Sequence, residues 1–162
     1  MTRNLELSDR LYDQFEAILK DLRARTQAEC VLLADISGQL ISKEGRLQDG
    51  NPVQVAALAA GDMSAMTELL WQIGERNPHG SFFHEGEKRS LYLFNINESF
   101  ILIVVSRSSK PVGLVRLFIR RAAERLHPLT SEFEEIMGQQ TSMPMGDFGT
   151  GLAEELEKAF TS

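Results

Sequence analysis

The apolar positions of this chain keep a helical period in some stretches and pack continuously in others. The broadest helical signal covers residues 51–74, NPVQVAALAAGDMSAMTELLWQIG. Asn51 suits an N-cap, Pro52 the first turn and Gly74 a stop. About 22 residues at 1.5 Å each make a rod of roughly 33 Å. At about 100° per residue, Val55, Ala56, Leu58, Ala59, Met63, Ala65, Met66, Leu69, Leu70 and Ile73 fill half its circumference. Val53, Ala60 and Trp71 widen it further. A helix lying on one core needs a stripe only somewhat wider than about 100°. The excess points to a second partner, most simply another copy of the chain. The alternative is one thick core that encloses the helix. Ala57, Gly61 and Ala65 recur every four residues and line one flank, with Gln54, Glu68 and Gln72 around them. Glycine in mid-helix costs up to about 1 kcal/mol against alanine. Its presence suggests close contact, which ordinary helix–sheet packing would also explain.

Upstream, Leu11, Phe15, Ile18 and Leu22 mark the buried face of a helix from Ser8, as its cap, to about Thr26. Residues 30–36, CVLLADI, are apolar on both alternating faces and predict a central strand. Ser37-Gly38 turns the chain into a poorer strand, 39–44, followed by a loop to Gly50. After the long helix come three short runs, SFFHE at 81–85, SLYLFNI at 90–96 and FILIVV at 100–105, joined by hairpin-length connections. Strands one, four and five need cover on both faces, and strands two and three read as edges. With hairpins joining one to two, three to four and four to five, the order is 2-1-5-4-3. The fold class is therefore α/β, or α+β: a five-stranded antiparallel sheet with the long helix on one face and two helices on the other.

Pro111 opens the last helix, with Val112, Val115, Phe118, Ile119, Ala122 and Leu126 inward and Arg116, Arg120, Arg121 and Arg125 elsewhere. The arginines read as a solvated surface or, as the lesser option, as the site of an acidic partner. Pro128 is expected to kink or end the helix near His127, and Ser131 with Glu134 to cap a short restart. Three segments follow: a domain at 1–138, a linker at 139–150 and an amphipathic helix at 151–162. In the last, Leu152, Leu156 and Phe160 recur every four residues. Alone in water such a helix is marginal, so it reads as a partner-binding tail or as a frayed terminus.

Composition narrows the function. A net charge of −6 over 162 residues argues against a general nucleic-acid binder. The single cysteine, Cys30, cannot form an intrachain disulfide, which suits a reducing compartment. With no apolar signal core at the start and no window long enough to span a membrane, the expected location is cytoplasmic. There is no phosphate-binding G-x-x-x-x-G-K-[ST] and no G-x-G-x-x-G. His79, His84 and His127 lack metal-ligand spacing. No cofactor, no metal and no catalytic residue is expected. A ligand sensor of the PAS or GAF type would need a polar-lined cavity, which the apolar central strands leave little room for.

The order helix-strand-strand-helix-strand-strand-strand-helix resembles the roadblock light-chain family, with its roadblock/profilin-like sandwich. The local sequences VLLADISGQLIS, ALAAGDMSAMTELL, FILIVVS and KPVGLV carry the resemblance over residues 8–138. Bacterial members of the MglB type are the most similar, sharing an extra C-terminal helix. The resemblance implies a homodimer built through the long helix, with third strands meeting edge to edge. Leu58, Asp62, Met66, Leu69, Phe82 and Phe83 would then form the dimer interface. It also implies a GTPase-activating role toward an MglA-type Ras-like GTPase in bacterial cell polarity and motility. No arginine finger is supplied; the activator positions the GTPase's own residues. The GTPase would meet Ala57, Gly61, Ser64, Ala65, Glu68 and Gln72, and, on the C-terminal helix, Leu152, Leu156 and Phe160. The alternative within the family is a non-catalytic scaffold or light chain.

Overall fold

The computed structural model describes residues 2–76 and 80–160, and of 141–156 the backbone alone. The elements are α1 (Thr2–Thr26), β1 (Cys30–Asp35), β2 (Leu40–Gly45), α2 (Pro52–Gln72), β3 (Ser81–Glu85), β4 (Arg89–Ile96), β5 (Phe100–Arg107) and α3 (Val112–Phe160). The sheet order is β2-β1-β5-β4-β3, as expected, with every pair antiparallel. Along β1 the alternation explains why both faces are covered. Val31 and Leu33 enter one core with α1 and α3, and Cys30, Leu32 and Ala34 enter the other with α2.

The two cores differ in what the helices contribute. On the first, α1 and α3 bury large side chains, including Leu11, Phe15, Leu19, Leu126 and Phe133. On the second, α2 buries only Ala56, Ala59, Ala60 and Met63. Alanines let α2 lie close to the sheet. The β1–β2 turn comes equally close: Gly38 has φ +93, and a Cβ there would stand 2.9 Å from the Ala57 Cα.

Four local expectations are corrected. Helix α1 begins at Thr2, and Ser8 is a buried residue within it. Of the extra turns, Leu7 packs against the core that α1 shares with α3, and α3 runs antiparallel to α1. Arg10 contacts Glu132 at 2.6 Å and Asp21 contacts Arg125 at 3.0 Å. Pro128 does not break α3. Its missing N–H deprives the carbonyl of exposed Glu124, which water can satisfy. Next to it, Asn97 Nδ2 donates to the His127 carbonyl at 2.7 Å and Thr130 Oγ1 donates to it at 3.0 Å. Ser131 is no cap: its hydroxyl donates to that same carbonyl, and Glu134 accepts from Ser99. Finally, residues 139–150, expected as a linker, continue α3. Extending a helix already nucleated on a packed core avoids the nucleation cost that an isolated segment bears.

Candidate functional site: the outer surface of α2

Helix α2 starts where the sequence places it. The Asn51 side chain accepts from the Val53 N–H at 2.9 Å, and Pro52 fills the first turn. Its inner face is alanine apart from Met63, and several of its larger side chains point away from its own sheet. Leu58 is 73% exposed, Leu69 54% and Ile73 72%. Enclosure in a single thick core is thereby excluded for this surface.

Around the axis these residues separate into bands. At about 100° per residue, Leu58, Asp62, Met66, Leu69 and Ile73 share one flank. Ala57, Ser64, Glu68 and Trp71 share the other, and Gly61, Ala65 and Gln72 form the crest between. The first flank faces the β3 edge: Asp62 Oδ2 lies 3.0 Å from His84 Nε2 on β3. Asp62 thus has a partner in its own chain. Phe82 packs with the α2 core, whereas Phe83 turns to the opposite face, with its ring centroid 4.8 Å from that of Tyr92. The structure therefore gathers Leu58, Asp62, Met66, Leu69 and Phe82 on one side of the sheet and sends Phe83 to the other.

The crest is open, and so is the second flank except at Ala57, which the Gly38 turn approaches closely. A Cβ at Gly61 would meet nothing within 4 Å, so packing within the chain does not explain this glycine. Ser64, Ala65, Glu68 and Gln72 are exposed, and Gln72 Nε2 donates to Glu68 Oε1 at 2.8 Å. Beside them lies a cleft of about 1100 Å³ between α2 and the strand-end turns. Met63, Trp71, Ile36, Ile101, Asn95 and Glu98 line it, and the Arg76 guanidinium stacks 5.2 Å from the Trp71 ring. Sequence reasoning missed Ile36, Asn95, Glu98 and Arg76, because only the tertiary fold brings these turns beside α2. Trp71 was visible as a bulky extension of the apolar arc. At the far end of α3, Phe160 is exposed; the side chains of Leu152 and Leu156 lie outside the described residues.

Charged chemistry is sparse. Among the described residues no cluster of His, Cys, Asp or Glu could hold a metal ion, and no helix is long and apolar enough to cross a membrane. Burial pushes the Cys30 thiol above its ordinary value, as it does the Tyr92 hydroxyl.

The Roadblock/LC7 domain matches residues 14–106, more than half of the chain. The chain belongs to the roadblock/LC7 family. The match runs from within α1 to β5 and so includes all of α2. Among solved structures, MglB of Myxococcus xanthus is 36% identical with a TM-score of 0.69, covering 73% of this chain and 95% of its own. The gliding protein MglB of Thermus thermophilus is 27% identical with a TM-score of 0.68, covering 75% and 92%. An MglB with a tetrameric arrangement is 27% identical with a TM-score of 0.69, covering 75% and 91%. This roadblock domain thus shares its five-stranded fold with MglB proteins over nearly their whole length.

Proposed function

We propose that this roadblock protein is a homodimeric activator of an MglA-type small Ras-like GTPase, with no active site of its own. The observation that carries the reading is the division of α2: three alanines and Met63 face its own sheet, while Leu58, Leu69 and Ile73 face outward. The likeness to MglB proteins, one with a tetrameric arrangement, supports self-association and a GTPase partner. In this reading the flank bearing Leu58, Asp62, Met66 and Leu69 meets a second copy while β3 edges pair through Phe82 and Phe83. The crest and second flank then remain free for the GTPase: Ala57, Gly61, Ser64, Ala65, Glu68 and Gln72. Leu152, Leu156 and Phe160 would add a further contact from the C-terminal segment.

Activation by such a surface is catalysis by positioning. The stretch of the crest at Gly61 and Ala65 carries no long side chain and lets the GTPase switch segments lie close against it. Holding their residues in place to orient water and offset charge is what phosphoryl transfer needs most. Among the described residues, no arginine lies on α2 to reach a nucleotide. The role belongs to cell polarity or motility in the cytoplasm.

Phosphate release by the cognate MglA-type GTPase, measured with and without this protein, tests the proposal. Acceleration by at least tenfold is expected, with no hydrolysis by the protein alone. Stable association without acceleration would instead make it a scaffold.

A further inference from the structure

On the sheet face opposite α2, the helices leave a strip thinly covered. Helix α1 packs on β1 and β2, and α3 on β4, so toward the β3 edge this face is covered chiefly by Arg116 of α3 reaching over Phe83. Two adjoining cavities of about 320 and 60 Å³ run along it and share Phe94 and Arg120 as walls. Phe94, Ile96, Ala123 and Pro128 make the larger one apolar. Arg120 stands at both cavities and has no ion pair or hydrogen bond among the described residues. Arg116, one turn away, lines the smaller cavity and lies 5.7 Å over the Phe83 ring. The single carboxylate in the lining is Glu124. This is a locally cationic slot in a chain whose net charge is −6.

We propose that this groove docks an acidic segment of another protein. An apolar side chain of the segment enters between Phe94 and Pro128, and neighbouring carboxylates meet the guanidinium groups of Arg120 and Arg116. The planar fork of arginine suits carboxylates, and the apolar floor supplies the anchor. A nucleic acid would need a longer run of cations, and a bilayer meets convex patches more readily than a slot. The groove lies on the sheet face away from the α2 crest, and Arg120 takes no part in the proposed α2 contacts, although Phe82 at the edge of the smaller cavity also belongs to the proposed β3 contact between copies.

The probe is a fluorescein-labelled peptide of about 16 residues repeating Glu-Glu-Leu-Ala, followed by anisotropy with the full chain. Its Lys-Lys-Leu-Ala counterpart, phosphatidylglycerol vesicles and a thymidine oligonucleotide are the comparisons. The acidic peptide is expected to bind, and Arg120→Glu to weaken it at least tenfold. Arg120→Ala should weaken it less, and Lys20→Glu, on the exposed face of α1, should leave it unchanged. Circular dichroism checks that each variant is folded. No binding of the acidic peptide, equal binding of the lysine peptide, or insensitivity to both Arg120 variants would overturn the proposal. So would preference for vesicles or oligonucleotide. GTPase acceleration by Arg120→Glu should equal that of the unmodified chain, so this inference and the proposed activity fail separately.

Discussion

Glu29 ties three separate pieces of the chain together. Its carboxylate accepts from Arg89 Nε at 2.7 Å, on β4, and from the Gln48 N–H at 3.1 Å, in the loop before α2. The Arg89 hydrogen bond, helped by that of Gln48, holds its carboxyl below the ordinary value of 4.5. A depressed folded-state value means that the folded protein binds fewer protons than the unfolded chain. The contribution is therefore fully present above pH 4.5 and is lost as pH falls through the lowered value. We expect Glu29→Gln to reduce Tm at pH 7 but to flatten the further loss between pH 5 and pH 2.5. Thermal melts at matched ionic strength measure this, and identical acid slopes for both proteins would contradict the assignment. Nothing in the sequence pattern announced this cluster, since its members are 19 and 60 positions apart and none lies on an apolar period. Gly38 was legible as a turn, but its approach to Ala57 depends on how closely an alanine-faced helix can settle.

At the scale of elements, apolar density and local punctuation differ in how far they can be read. Strands β1, β4 and β5 were legible because residues such as Leu32, Leu33, Leu102 and Ile103 are apolar on both faces. Such strands have only one way to be covered. The hairpins then fixed their order. Helix ends were less legible. Ser8 looks like a cap and Pro128 like a break when each is read from its neighbours alone. Both are overridden by the long antiparallel packing of α1 on α3, which buries Leu11, Phe15, Leu126 and Phe133 together. Local propensity is a weak prior where tertiary contact is this extensive. Pro128 still forgoes one helical hydrogen bond. Pro128→Ala should restore it and raise stability by up to about 3 kcal/mol, the penalty of proline within a helix. Urea unfolding would show a higher midpoint at an unchanged slope. A lower midpoint would mean that the proline ring contributes packing that outweighs the lost bond.

For the whole molecule, the question is what covers α2. Fully burying a leucine or isoleucine side chain is worth about 1.5–3 kcal/mol. Leu58, Leu69 and Ile73, contributed by both copies of a two-fold pair, would offset much of the roughly 4–15 kcal/mol that association costs. The crest is different: Gly61 and Ala65 bring little apolar area but allow close approach. The two bands should therefore respond differently to substitution. Light scattering should give twice the 18.2 kDa chain mass for the unmodified protein. Leu58→Arg places a charge within the apolar flank, and weakening by at least about 2 kcal/mol, or some thirtyfold in dissociation constant, is expected. The mass should then fall toward that of one chain at low micromolar concentration. Phe83→Glu should act in the same direction through the β3 edge. Ala65→Arg should keep the doubled mass but lose GTPase acceleration, because the added side chain holds the partner away from the crest. If Ala65→Arg instead halves the mass, or Leu58→Arg leaves it doubled, the bands have been assigned to the wrong partners. A single-chain mass for the unmodified protein would remove the second copy altogether and leave all of α2 to other partners.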